Sequence, residues 1–443
     1  MLKTKLLIFA FWVFKKMSLT RRWLDPLRSR WLLQRPIRQP RLSAHAGRHA
    51  LTVFIRLDDV YSYLLVQILA KLDSLLIERM RPFKIIISTQ AAQPPKSLTP
   101  EQWLRYTHHD AAVLAHQHRF VFQENYVAPD AGQMAQGLEI LRLTPLKGAD
   151  FLHLLQNVFH MVWQGQSGKL ALLHQMALQR TGAVEQTASL SEVEFTDEPL
   201  DQAYIIHDGR RYLAIDDFLR LTRRLNQQKL LTSEPVFLIN HVEWGEHLVN
   251  DPVLLADIQA MRPILKFYGA LEDPFTYLLL RYLQQEMVGY YNVKIKFFPL
   301  PYQGRDRFDW RLAQRLAKRI DVPFSPFCRP DEAGVMAMAK TLTSLKHEPR
   351  MNRALELLES VWSKGSDMAF APHFSKVLPD VAVSDAASTL VWLNRNQKGA
   401  DALGVPDLPA FVLRVGGRRH VFCSLYRVWQ VETLLSAALE DVE

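Results

Sequence analysis

Two stretches half a chain apart follow one pattern: Phe54-Ile-Arg-Leu-Asp-Asp-Val-Tyr-Ser-Tyr-Leu-Leu65 and Phe267-Tyr-Gly-Ala-Leu-Glu-Asp-Pro-Phe-Thr-Tyr-Leu-Leu279. Each is a short apolar strand that meets an acidic turn and then a helix, so the chain reads as a duplication. A true duplication keeps order and approximate spacing. Asp59 and Asp273 stand 214 residues apart, as do Tyr63 and Tyr277. The strand Phe83–Ile87 returns as Val293–Phe297, and Leu114-Ala115 with Val121-Phe122 returns as Leu316-Ala317 with Pro323-Phe324. Further on, Val162-Trp163 matches Val361-Trp362, and the hairpin signal Asp208-Gly-Arg-Arg211 matches Gly416-Gly-Arg-Arg419. Six matches in order, at offsets between 199 and 214, are hard to obtain by chance.

The division this implies is a basic leader at 1–49, a first domain at 50–228, a linker at 229–261 and a second domain at 262–443. A chain of 443 residues, 48% hydrophobic and 22% charged, has material for two cores. The net charge of +9 is concentrated in the leader, whose twelve Lys and Arg face Asp25 alone, so the remainder carries −2. The basic balance therefore predicts no nucleic-acid-binding face on the folded body. With Trp12, Trp23 and Trp31 among its basic residues, the leader has the mixture that settles at an anionic membrane surface; a disordered tail, or a start at Met17, accounts for it equally well. The longest apolar run, Leu6–Phe14, is too short to span a bilayer and lacks a small-residue cleavage site after it. These features predict a cytoplasmic protein, peripheral at most to the inner face of a membrane.

The two cysteines, Cys328 and Cys423, form no Cys-x-x-Cys pair, which excludes a local dithiol redox centre and a cysteine-based zinc site. Each reads as a small buried apolar residue. His108, His109, His116 and His118 share one predicted helix, but no two are four apart, so they do not predict a metal site. His241 and His247, beside Glu243 and Glu246, read as solvated linker charge. Gly165-Gln-Ser-Gly-Lys169 looks like a phosphate loop, yet it follows a helix and lacks the first glycine and the Ser or Thr after Lys. Trp310, Phe324 and Phe327 read as packing aromatics.

Periodicity in the second half predicts a strand at 264–267, a helix from Pro274 to about Gln285 and a strand at 293–298. Helices at 310–320, 352–363 and 384–394 follow, then strands at 410–415 and 419–422 and a closing helix from Arg427. The order is β-α-β, helical insert, β-β-α.

The strand with its acidic turn and Tyr-Ser-Tyr-Leu helix start, the Val-Trp motif with its nearby glycine, and Gly404-Val-Pro-Asp-Leu-Pro-Ala-Phe-Val412 before a Gly-Gly hairpin resemble the DsbA-like thioredoxin superfamily. Within it the chain is most similar to 2-hydroxychromene-2-carboxylate isomerase and kappa-class glutathione transferase, over about residues 50–225 and 262–440. The resemblance implies an α/β fold of two tandem thioredoxin-like domains, each with an inserted helical subdomain. It implies glutathione as the cofactor, a small-molecule substrate, and an isomerase or transferase if the chain is active. It also implies a cis proline at Pro409, with the backbone of Leu408 pairing with the cysteine of glutathione. A Ser-Asp pair at the start of the last helix binds the γ-glutamyl end in that family. Ser424 keeps the serine, followed by Leu425, and the first half has Asp216-Asp217, of which Asp217 is the candidate. Aligned on the glycine hairpin, the first half's counterpart of Pro409 falls near Asp201.

At the family's reacting Ser or Cys position this chain has Asp59 and Asp273. A carboxylate there raises the pKa of a nearby thiol instead of favouring the thiolate. It can serve as a general base on a carbon acid. Helix physics offers a plainer reason for both residues: Asp is a favoured N-cap, worth about 1 kcal/mol, and Asp273-Pro274 pairs a cap with proline at the first helical position. The alternative to catalysis is a degenerate tandem thioredoxin-fold protein that binds or scaffolds a partner.

Overall fold

The computed structural model describes residues 51–80, 84–91, 98–144, 148–181, 193–200, 202–233, 251–304, 308, 310–326, 329–370, 383–415 and 418–437. They fall into two compact units, which carry residues 51–233 and 251–437. Both are mixed α/β. No helix among the described residues is long and apolar enough to cross a membrane.

The first unit is built on β1 (Thr52–Arg56), which is buried along its whole length. Such a strand must lie inside the sheet, covered on both faces. Helix α1 (Val60–Leu75) follows, and β2 (Lys84–Ser88) returns parallel to β1 with Phe54 opposite Ile86. Among the described residues four helices are inserted next: α2 (Pro100–His118), α3 (Ala131–Leu143), α4 (Gly148–Trp163) and α5 (Ser167–Thr181). Capping boxes open two of them, Thr99 with Gln102 and Asp130 with Gln133. The chain re-enters the sheet as β3 (Val193–Thr196), parallel to β2, and then as the hairpin β4 (Tyr204–His207) and β5 (Arg210–Leu213). Helix α6 (Phe218–Gln227) ends the unit, and the sheet order is β3-β2-β1-β4-β5, with β4 antiparallel to β1.

The second unit begins with α7 (Pro252–Met261), capped by Asp251 and buried at Ile258 in that unit's core. Helix α7 thus packs in the core of this unit; the apolar side of so short a helix needs a core to cover it. Strand β6 (Ile264–Ala270) leads into α8 (Pro274–Tyr282), which continues through a π-helical stretch, Leu283–Val288. Strand β7 (Lys294–Leu300) pairs parallel to β6. Among the described residues the inserted helices are α9 (Trp310–Arg319), α10 (Glu332–Thr343), α11 (His347–Trp362) and α12 (Ala386–Ala402). The hairpin β8 (Ala410–Val415) and β9 (Arg418–Cys423) and the helix α13 (Val428–Ala437) complete the order β7-β6-β8-β9, with β8 antiparallel to β6. Helix α10 and, in the first unit, strand β3 are elements that the periodicity did not predict.

Several repeated residues occupy matching surroundings. Helices α2 and α9 both end at a left-handed residue, Arg119 and Asp321, after which Phe120 N–H donates to Ala115 C=O (2.8 Å) and Val322 N–H to Ala317 C=O (2.9 Å). Helices α4 and α11 both stop at a glycine with positive φ, Gly165 (66°) and Gly365 (69°). There Gln166 N–H reaches Met161 C=O (2.9 Å) and Ser366 N–H reaches Ser360 C=O (2.8 Å). Trp163 and Trp362 are buried, with Phe122 at 5.8 Å from one and Phe324 at 6.2 Å from the other, ring centre to ring centre. Gly165 ends one helix and Ser167 opens the next, so no strand precedes the Gly165–Lys169 loop.

Candidate functional site

Asp59 and Asp273 stand at the same point of their units, at the turn between a central strand and the helix after it. Each has an extended backbone and caps its helix. Asp59 is 7% exposed and Asp273 1%. The Asp59 carboxylate accepts from Ser62 N–H (2.9 Å), Ser62 Oγ (2.6 Å) and, across the sheet, Ala203 N–H (3.3 Å). Burial raises its pKa above the ordinary carboxylate range, while the Arg56 guanidinium and the Ser62 bonds oppose the rise. Arg56 is itself buried; its side chain donates to Asp58 and to the carbonyl of Leu200, and its N–H donates to Ser62 Oγ (3.0 Å). Every described bond at this turn therefore returns to the fold of its own unit.

In the second unit Asp273 Oδ1 accepts from Phe275 N–H (2.9 Å). The preceding Glu272 is fully buried and accepts from Gln303 N–H (2.6 Å) at the end of β7. The groups that close the first unit's turn are replaced one by one. Ala270 stands where Arg56 does and Thr276 where Ser62 does. Thr276 Oγ1 is buried and has no hydrogen-bond partner among the described residues. It lies instead against Gly269, where a Cβ would meet Thr276 Cγ2 at 2.7 Å. Only glycine allows that approach of helix to strand.

The strand pairing fixes the remaining equivalences. Tyr204 faces Phe54 as Ala410 faces Tyr268, and Ala214 N–H donates to Ala203 C=O (3.1 Å) as Ser424 N–H donates to Pro409 C=O (2.9 Å). The first unit's counterpart of Pro409 is thus Ala203; the expected position, Asp201, lies outside the described residues. The hairpin alignment slipped because β8 has six residues and β4 four, so the longer arms move the turn by two. Ser424 likewise corresponds to Ala214, and Asp217, just before α6, corresponds to Arg427 and not to Leu425. Asp217 accepts from Leu213 N–H (3.1 Å) and pairs with Arg220 (3.3 Å), so the described contacts of this carboxylate tie a helix start to its own strand.

The structure brings Pro409 and Ser424 together through that backbone bond, and the Leu408–Pro409 peptide is cis. Leu408 is 8% exposed, its N–H donating to Asp407 Oδ1 (2.8 Å). Ser424 has φ 80° and ψ 151°, a conformation costly for any residue with a side chain, while its Oγ accepts from Tyr426 N–H (3.2 Å). Ala214 adopts no such conformation. Asp217 belongs to the first unit.

Cys423 is buried on β9 opposite Ala410. No group of three metal-ligating side chains occurs among the described residues. Residues 1–49, Cys328, Phe327, the Gly416-Gly417 turn and the His241 to His247 stretch lie outside the described residues. Sequence reading missed Arg56, Ser62, Gly269 and Thr276, although all four stand in the columns of the repeat; Ala203 was hidden by the unequal hairpins.

No family model and no curated protein matches the chain. Among solved structures, a 2-hydroxychromene-2-carboxylate isomerase is similar at 15% identity and a TM-score of 0.31, over 41% of this chain and 99% of that one. The cytosolic disulfide reductase DsbM from Pseudomonas aeruginosa is similar at 14% identity and a TM-score of 0.31, over 40% of this chain and 98% of that one. The same reductase with GSH gives 14% identity and a TM-score of 0.30. Likenesses this distant do not bear on activity.

Proposed function

We propose that the chain is a catalytically degenerate tandem protein of the DsbA-like thioredoxin kind, acting as a binding or scaffold protein without dithiol chemistry. The matching order of the four core strands, with one parallel and two antiparallel pairings in each unit, supports the tandem reading. The observation that carries the functional reading is the state of the two carboxylates at the reacting position. Asp59 is buried and engaged by three donors from its own unit, and Asp273 is 1% exposed and caps a helix. A general base must come within hydrogen-bond reach of the proton it removes. Groups so covered serve the fold first.

A second reading, a glutathione-dependent isomerase or transferase, is favoured for the second unit by one arrangement. The Leu408–Pro409 loop lies beside Ser424, and Ser424 is kept in a backbone conformation of the kind that clusters at functional sites. In that reading Leu408 would pair its backbone with the thiol ligand and Asp273 would take a proton from carbon. Titration calorimetry of the full chain with glutathione separates the two. The scaffold reading expects no specific heat at millimolar glutathione and no turnover on a panel of thiol-linked isomerisation and conjugation substrates. Saturable binding together with turnover that Asp273→Asn abolishes would replace it with the second.

A further inference from the structure

The first unit holds an imidazole where the second holds an indole. His108 on α2 lies 5.6 Å from Trp163 and 5.7 Å, edge on, from Phe122; Trp310 on α9 lies 5.6 Å from Trp362 and 6.4 Å from Phe324. The two aromatic clusters are the same cluster, and the substitution within it is chemical. His108 is 6% exposed, and its Nε2 has no hydrogen-bond partner among the described residues. An indole at this place would fill the cluster without a titratable group.

A second imidazole stands at the same seam. Tyr63 on α1, buried, is bonded through its hydroxyl to Nδ1 of His160 on α4 (2.9 Å). In the second unit the seam is held by an ion pair without an imidazole: Arg281, on the helix of Tyr277, pairs with Glu359 (3.1 Å), which stands where His160 does. Tyr277 itself donates to Pro323 C=O (3.2 Å).

We propose that the seam between the core helix α1 and the inserted helices α2 and α4 of the first unit is a proton-sensitive joint, which opens when His108 and His160 become charged, and that the second unit has no such joint. Facing His108 are Trp163 from α4 and, from the segment after α2, Phe122, the backbone and carboxylate of Glu124 and the backbone of Tyr126; Tyr63 on α1 stacks on Trp163 and bonds to His160, and on the helix of His108 lie His109, paired with Glu124 (3.1 Å), and Asp110, which accepts from Tyr61 (2.7 Å). Burial lowers the pKa of His108, while the backbone and the carboxylate of Glu124 and the backbone of Tyr126 partly oppose it. Burial lowers that of His160 as well, and Lys169 adds to it. The Tyr63–His160 bond survives protonation with donor and acceptor exchanged, so desolvation is the dominant cost at both rings. A group that stays neutral when closed and takes a proton when open destabilises the closed state as pH falls below the ordinary histidine range.

Hydrogen exchange by mass spectrometry on the full chain at pH 7.5, 6.5 and 5.5, corrected for the intrinsic rate, reads the joint directly. Protection of Gly148–Trp163 is expected to fall by up to about tenfold per pH unit for each such ring, while that of His347–Trp362 stays level. His108→Trp, which copies the second unit, is expected to remove the share of the response that His108 contributes, up to about tenfold per pH unit, and to leave that of His160; His108→Phe gives the same reading if the larger ring does not fit. An equal response in both units, or a response undiminished in a folded His108 variant, would overturn the proposal.

Discussion

The strand-to-helix turns at Asp59 and Asp273 show how one local pattern reaches two different states. In the first unit an arginine, a serine and a backbone N–H converge on the acidic turn. In the second unit alanine, threonine and proline stand at those three places. Proline has no N–H to give, alanine has no charge, and the threonine hydroxyl has turned towards Gly269. A carboxylate at a strand-to-helix turn thus caps its helix in both units while the groups around it differ.

The largest effects should fall on features that the two units share. Trp163→Ala and Trp362→Ala each remove a fully buried indole, at about 3–5 kcal/mol. Urea unfolding read by hydrogen exchange, which reports each unit separately, should give similar losses. The phenylalanine variants sharpen the comparison. Trp163 donates to Leu57 C=O (3.0 Å), whereas Trp362 Nε1 has no partner among the described residues, so Trp163→Phe should cost about 1 kcal/mol more than Trp362→Phe. Equal costs would mean that the bond from Trp163 to Leu57 adds nothing to stability.

Next in size is the aspartate pair. Asp59→Ala leaves three donors without their acceptor inside the first unit and is expected to cost about 3 kcal/mol; Asp273→Ala removes a cap, at about 1 kcal/mol. Asp59→Asn should be milder than Asp59→Ala, and pH provides its check. Because the folded-state pKa of Asp59 is raised, the folded chain keeps a proton that the unfolded chain has released, so this group's stability is present at acid pH and is lost as pH rises past the ordinary carboxylate range. Unfolding of the first unit between pH 4 and 7 should therefore lose part of its decline in Asp59→Asn. A slope unchanged by the substitution would remove Asp59 from the account.

Much of this architecture was legible in the paired sequence patterns. The Tyr, Trp and Phe positions were found in sequence because large side chains in a core tolerate little change in volume, so the two stretches look alike. The caps Asp59 and Asp273 were legible for the same kind of reason, since the backbone at a helix start accepts few residue types. The polar partners were not. Arg56 against Ala270 and Ser62 against Thr276 look like ordinary drift until the bonds are seen, and Ala203 was misplaced by two residues because a hairpin can lengthen without altering the sheet at its base. Strand β3 escaped because four residues, of which only Val193 is buried, carry too little periodicity to announce an edge strand.

A smaller effect tests the closeness of helix and strand in the second unit. In Gly269→Ala the new methyl carbon would meet Thr276 Cγ2 at 2.7 Å and Oγ1 at 2.8 Å, and an overpacked contact of this kind costs about 1–3 kcal/mol. Adding Thr276→Ala should restore most of the loss, since both clashing atoms go. A loss that persists in the double variant would place the constraint in the strand itself and not in the helix above it.

The smallest effect has the most to say about function. Ser424→Gly relieves a backbone conformation that suits glycine alone and loses the Oγ bond to Tyr426 N–H, two terms of about 1 kcal/mol and opposite sign. The second unit's stability should therefore change by less than about 0.5 kcal/mol, whereas Ala214→Gly, at the matching place with ordinary backbone, should cost about 0.5–1 kcal/mol. Because stability is nearly silent at position 424, ligand binding can be read there without interference. If Ser424→Gly weakens a glutathione titration that the parent chain shows, the serine is held in its costly conformation for the ligand. If neither chain titrates, the costly conformation is not kept for glutathione, since Ala214 makes the same backbone bond without it.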